Sequence, residues 1–191
     1  MEALAFAAST GMALALTNID NLLVLLAVLI PLGPMRALTG YVAAQLLVLG
    51  LSVAVSLGAS DLLSGQSGYL GVVPLAMGLR GLYLARRATR EEVGPVATGG
   101  GVMALILMFL GMSADTFGVL VPILTDSLPG FRLWGVAGAL AAIGAMALAA
   151  YVPFRRGGPA PAWTIRAERL GPYVMILAGL YVLSDSATDL I

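Results

Sequence analysis

The chain has 191 residues, 60% apolar and only 10% charged, with basic and acidic residues in balance and a mean hydropathy of +0.98. A soluble domain carries about 25% charged residues, so a polar shell around a core of this size is excluded and the composition is that of an integral membrane protein. Cysteine, histidine and lysine are absent, which excludes disulfides, Cys/His zinc sites, Ser-His-Asp triads, Walker-type phosphate loops and Schiff bases, and zero net charge argues against nucleic acid as a partner.

Apolar runs of the length a bilayer requires predict six transmembrane spans, over 3–30, 36–58, 68–85, 101–125, 132–153 and 170–190. All are expected to be helices, because a helix satisfies its own backbone in hydrocarbon and the alternation of a membrane barrel is missing. The N-terminal run carries Glu2 in place of a basic start and is too long for a cleavable signal. Arg36, Arg80, Arg86, Arg87, Arg90, Arg155, Arg156, Arg166 and Arg169 fall on one side of these spans and Arg132 alone on the other. The positive-inside rule then gives a multi-pass protein of the plasma (inner) membrane with both termini outside.

Span 1 contains Thr17-Asn18-Ile19-Asp20-Asn21 and span 4 contains Met112-Ser113-Ala114-Asp115-Thr116, at an offset of 115 − 20 = 95 residues, half the chain. Spans 3 and 6 echo one another through Leu70-Gly71 with Gly78-Leu79 and Leu170-Gly171 with Gly179-Leu180. Three spans per half is an odd number, so the second half enters the membrane from the opposite side. The expected fold is therefore all-α and integral to the membrane, six helices as two inverted three-helix repeats, residues 1–95 and 96–191, a construction common in secondary transporters. Gly71 with Gly78, and Gly135 with Gly138 and Ala142, mark faces for close helix contact, which permit a homodimer as readily as packing within one chain. Pro74 and Pro122 are candidate kinks.

Asp20 and Asp115 fall near the bilayer midplane, where an aspartate costs roughly 2.5–3.5 kcal/mol on insertion scales and normally faces a bundle interior or a water-filled cavity. With Thr17, Asn18, Asn21, Ser113 and Thr116 beside them, they form a candidate site for a divalent cation, since two carboxylates balance its charge and oxygen donors suit hard ions. Asn and Asp compete for backbone groups, so one or both spans are candidates for local unwinding at this point. Gln45, Met112 and Asp185 are weaker candidates: Gln45 serves equally as interhelical glue, Met112, like Met108, as packing, and Asp185 as a solvated helix end. Desolvation and mutual repulsion favour protonation of paired carboxylates when no cation is present, which suggests exchange of the cation for protons. The cation is cargo, and no resident cofactor or enzyme activity is expected. An amine-bearing solute such as an amino acid is the alternative cargo, and an intramembrane aspartyl protease dyad a remote one.

These motifs, together with Gly68-Tyr69-Leu70-Gly71-Val72-Val73-Pro74-Leu75-Ala76-Met77-Gly78, Asp115-Thr116-Phe117-Gly118-Val119-Leu120-Val121-Pro122 and Ile176-Leu177-Ala178-Gly179-Leu180-Tyr181-Val182-Leu183, resemble the cadmium-resistance (CadD-like) transporters of the LysE-type exporter superfamily over nearly the whole chain. The resemblance implies a small exporter of divalent cations, cadmium, manganese or similar, with the aspartates of spans 1 and 4 at the site. The chain departs from the family in span 4, where Met112-Ser113-Ala114-Asp115-Thr116 stands in place of an Asn-Gly-x-Asp-Asn pattern, and at Asn21, where a second acidic residue is frequent.

Overall fold

The computed structural model describes residues 1–62, 67–87, 101–156 and 171–184. The described chain is 94% helical. In order the helices are α1 (Glu2–Thr17), α2 (Ile19–Leu32), α3 (Pro34–Leu62), a 3₁₀ turn (Ser67–Gly71) leading into α4 (Val72–Arg87), α5 (Val102–Met112), α6 (Ala114–Asp126), α7 (Pro129–Arg155) and α8 (Gly171–Leu183). Asp185, Trp163, Arg90, Arg166 and Arg169 lie outside the described residues.

Two helices, within α3 and α7, are each long and apolar enough to cross a bilayer, and the bent pairs α1–α2 and α5–α6 raise the number of candidate spans to four. At 1.5 Å per residue, α3 rises about 43 Å against a hydrocarbon thickness of about 30 Å. The shorter α4 rises about 24 Å, and α8 about 20 Å over its described residues. Burial along α3 runs opposite to that of a soluble helix: Gln45, Ser52 and Ser56 are fully buried while Leu47, Leu51 and Leu57 are exposed. Leucine outward and amide or hydroxyl inward is the arrangement that suits an apolar solvent.

Each long helix lies against a broken pair from the other end of the chain, α3 against α5 and α6, and α7 against α1 and α2. The side chains that fill the space between them are large: Leu22, Leu25, Leu29, Tyr41, Phe109 and Leu120 form one cluster, in which the Tyr41 and Phe109 rings meet edge to face at 5.5 Å. Gly33, at φ +81°, turns the chain between α2 and α3 in a conformation L side chains rarely adopt, and Pro34 then starts α3 where no backbone donor is needed.

Close contacts occur where the glycines lead one to expect them. A Cβ on Gly138 would run into the backbone of Ala7, and one on Gly11 would lie 2.7 Å from the Gly138 carbonyl oxygen, so α1 and α7 cross backbone to backbone. Along the α4–α8 seam Gly71 faces the carbonyl of Gly179, and Gly78 faces that of Pro172. The prolines named as candidate kinks do not mark the breaks. Pro74 sits in the first turn of α4, where a missing N–H costs nothing, and Pro122 lies inside α6, well beyond the break at Ser113.

Candidate functional site

The two breaks fall at equivalent places. α1 gives way to α2 at Asn18 with a bend of 58°, and α5 to α6 at Ser113 with a bend of 62°. Asn18 (φ −109°, ψ 16°) and Ser113 (φ −92°, ψ 15°) both take bridge-region backbone angles. Each restarts a helix through its own carbonyl, which accepts from Leu22 N and from Phe117 N, both at 3.0 Å. The local cause is side-chain competition for the carbonyls of the preceding turn, which bends helices. Thr17 Oγ1 donates to Ala13 O at 2.9 Å, Asn18 Nδ2 to Leu14 O at 3.2 Å, and Ser113 Oγ to Phe109 O at 2.7 Å.

Each break places an aspartate in the first turn of the helix that follows, Asp20 in α2 and Asp115 in α6. Partial positive charge at a helix N-terminus complements a carboxylate there. Both aspartates line one cavity of about 260 Å³, shared with Thr17, Met77, Arg80 and Met175. Asp20 is half-buried, and Asp115 and Arg80 are exposed. The methionines at this cavity are thus Met77, from α4, and Met175, from α8. Met112, the one expected from sequence, ends α5 half-buried, and neither it nor Met108 lines the cavity.

The remaining residues expected at the site form a separate layer, fully buried, that ties the two breaks together. Asn18 Nδ2 donates to Thr116 Oγ1 at 2.6 Å, and the Thr17 and Thr116 hydroxyls lie 3.3 Å apart. Asn21 Nδ2 donates to Asn18 Oδ1 at 2.5 Å and to Ser113 Oγ at 3.2 Å, while Gln45 Nε2, from α3, donates to the same two acceptors at 2.8 Å and 3.1 Å. Thr17 belongs to both layers. Gln45 is therefore part of this network, holding α3 to both breaks. The network is incomplete: the carbonyl oxygens of Asn21 and Gln45 have no hydrogen-bond partner among the described residues, although both residues are 0% exposed. A buried group left so costs about 1–3 kcal/mol.

A third polar cluster is not apparent from sequence alone. Asp126, the last residue of α6, is 2% exposed, with Thr125 and Ser127 buried beside it. Arg132 reaches back from α7 to cap α6, donating from Nε to Leu124 O at 2.7 Å and from a terminal nitrogen to Thr125 O at 3.3 Å. The signal that could have found it is the adjacency of Asp126 to an apolar run together with the isolation of Arg132 on its side of the chain. Among known proteins, no family model, no curated sequence and no solved structure matches this chain.

Proposed function

We propose that the chain is a secondary transporter that exports a divalent cation, bound between Asp20 and Asp115. The observation that carries this is the opening of both aspartates, each in the first turn of a half-helix after a break, into one cavity. Discontinuous helices of this kind build substrate sites in transporters assembled from inverted repeats. The six-span, two-repeat organisation with both termini outside, and the resemblance to CadD-like exporters of the LysE type, belong to the same proposal.

Two carboxylates balance a divalent charge, and the Thr17 hydroxyl adds an oxygen donor. Met77 and Met175 supply thioethers, which favour softer ions such as cadmium over magnesium or calcium. The volume holds an ion with part of its hydration shell. Because Arg80 lies on the arginine-rich side, loading from inside is the direction that suits export. Moving one uncompensated charge against the membrane potential costs about 2.3 kcal/mol per 100 mV, and the entry of two protons per divalent cation removes that cost.

Arg80 also favours a second cargo. A guanidinium and two carboxylates around a cavity of this size complement a small zwitterion, whose carboxylate pairs with Arg80 and whose amine pairs with an aspartate. Flux into proteoliposomes under an imposed pH gradient separates the two. The expected result is transport of cadmium or manganese with counterflow of protons, lost at least tenfold in Asp20→Asn and Asp115→Asn. Normal flux in these variants overturns the site, and amino-acid flux without metal flux establishes the second cargo.

A further inference from the structure

Asn18, Asn21, Ser113 and Gln45 close a four-membered ring in which acceptors and donors alternate. Its sides are 2.5 Å (Asn18 Oδ1 to Asn21 Nδ2), 3.2 Å (Asn21 Nδ2 to Ser113 Oγ), 3.1 Å (Ser113 Oγ to Gln45 Nε2) and 2.8 Å (Gln45 Nε2 to Asn18 Oδ1). All four residues are at most 1% exposed. The two amides that supply the donors, Asn21 and Gln45, are the same two whose carbonyl oxygens have no partner among the described residues. Both amides thus turn their nitrogens into the ring and leave their oxygens unused behind it.

Rotation of a terminal amide by half a turn exchanges oxygen and nitrogen with almost no change in shape. Rotating Asn21 and Gln45 in this way sets four oxygens around one centre: the amide oxygens of Asn18, Asn21 and Gln45, and the Ser113 hydroxyl. The corners of the ring lie about 2 Å from its centre if it is flat, and an opening of roughly half an ångström per side brings them to about 2.4 Å, a distance hard cations keep from oxygen. Two half-helices, α1 and α5, end immediately before Asn18 and Ser113, and helix C-termini present carbonyls and partial negative charge.

We propose that this ring is a second cation site, distinct from the aspartate cavity, and that it takes sodium. The ring contains no carboxylate, so a single positive charge is far less costly to bury in it than a double one. The divalent charge has its counter-charges in the cavity, whose lining includes none of the four ring residues. Larger potassium needs the four corners further apart. Because Asn18 and Ser113 are the pivots of both breaks, sodium held here would couple to the bend of both broken helices in the transporter proposed above, alongside the protons that exchange for its cargo. Binding is measurable without flux, so the two proposals fail by different results.

The test is thermal unfolding of the purified full-length protein in detergent, titrated with sodium, potassium or choline chloride at constant ionic strength, alongside direct binding of radioactive sodium. Sodium is expected to raise the unfolding midpoint by several degrees over potassium and choline. The half-saturating concentration should rise at least tenfold in Gln45→Leu and Ser113→Ala and stay within twofold in Ser9→Ala, whose exposed hydroxyl only bonds its own helix. Equal midpoints in the three salts, with no sodium bound by wild-type protein, overturn the site even where the variants fail to fold. A sodium response lost in Asp115→Asn and retained in Gln45→Leu overturns it too, by moving sodium to the aspartate cavity.

Discussion

Asn18 and Ser113 each end one helix and begin the next, and their side-chain oxygens accept from the same two amides, Asn21 and Gln45. Two distant points of the chain are thereby fixed to each other by side chains, and a third helix, α3, is fixed to both through Gln45.

Removing the shared hydroxyl should be costly. Ser113→Ala deletes one of the two acceptors available to Asn21 and Gln45, along with the bond to Phe109 O, and is expected to lower stability by about 1–3 kcal/mol. Ser9→Ala is the control. Ser9 makes the same kind of bond to the preceding turn, to Ala5 O at 2.9 Å, but is exposed, so its loss should stay within about 0.5 kcal/mol. Unfolding midpoints of the two variants in one detergent decide the matter.

The α1–α7 crossing leaves no room for a side chain at one position and ample room at another on the same helix. Gly138→Val is expected to destabilise by about 3 kcal/mol or more, since backbone cannot step aside as a flexible side chain does. At Gly144, also on α7, an added methyl group would meet nothing within 4 Å, so Gly144→Ala should express and unfold as wild type does. Equal behaviour of the two variants would contradict the crossing.

For the two proposed cargoes, loss of Arg80 has opposite expected signs. In Arg80→Gln a divalent cation loses a like-charged neighbour and should bind about fivefold more tightly, corresponding to roughly 1 kcal/mol for a partly solvated pair. A zwitterion loses its carboxylate partner and should bind several-fold more weakly. Isothermal titration with cadmium, manganese and representative amino acids reads the sign directly.

Asp126 is buried and is not among the residues that line the cavity. Asp126→Asn should therefore lower the unfolding midpoint while cation flux per folded molecule stays within about twofold, in contrast to Asp20→Asn. A selective loss of flux would place Asp126 on the transport path. The expected stability cost is about 1–3 kcal/mol, that of disturbing a buried polar group.

Much of the helix order was legible because hydrocarbon admits few solutions for an apolar backbone, and the matched clusters around Asp20 and Asp115 pointed to the two equivalent breaks. The division of the site into two layers was not legible. Asn18, Asn21, Ser113 and Thr116 lie within a turn of an aspartate in sequence, but a bend near 60° directs them into protein while the aspartates meet the cavity. Gln45 was a candidate from sequence, whereas Met77, Arg80 and Met175 come from other helices, and no spacing along the chain reveals which turn of α4 or α8 faces the breaks. Asp126 was hidden for a different reason: at the end of an apolar run, a carboxylate in the headgroup zone and one folded under a neighbouring helix look alike.

The α4–α8 seam bears on how this sequence can change. A Cβ on Gly71 would lie 2.6 Å from the Gly179 carbonyl oxygen, and one on Gly179 would lie 2.7 Å from that of Gly71. Core positions ordinarily drift in compensating pairs, one side chain growing as its neighbour shrinks. That route is closed here, because the nearest atom each position meets is main chain, which no substitution can trim. Gly71 and Gly179 are therefore fixed jointly, each by the other, while the exposed leucines around them are free to interchange with any residue lipid will tolerate.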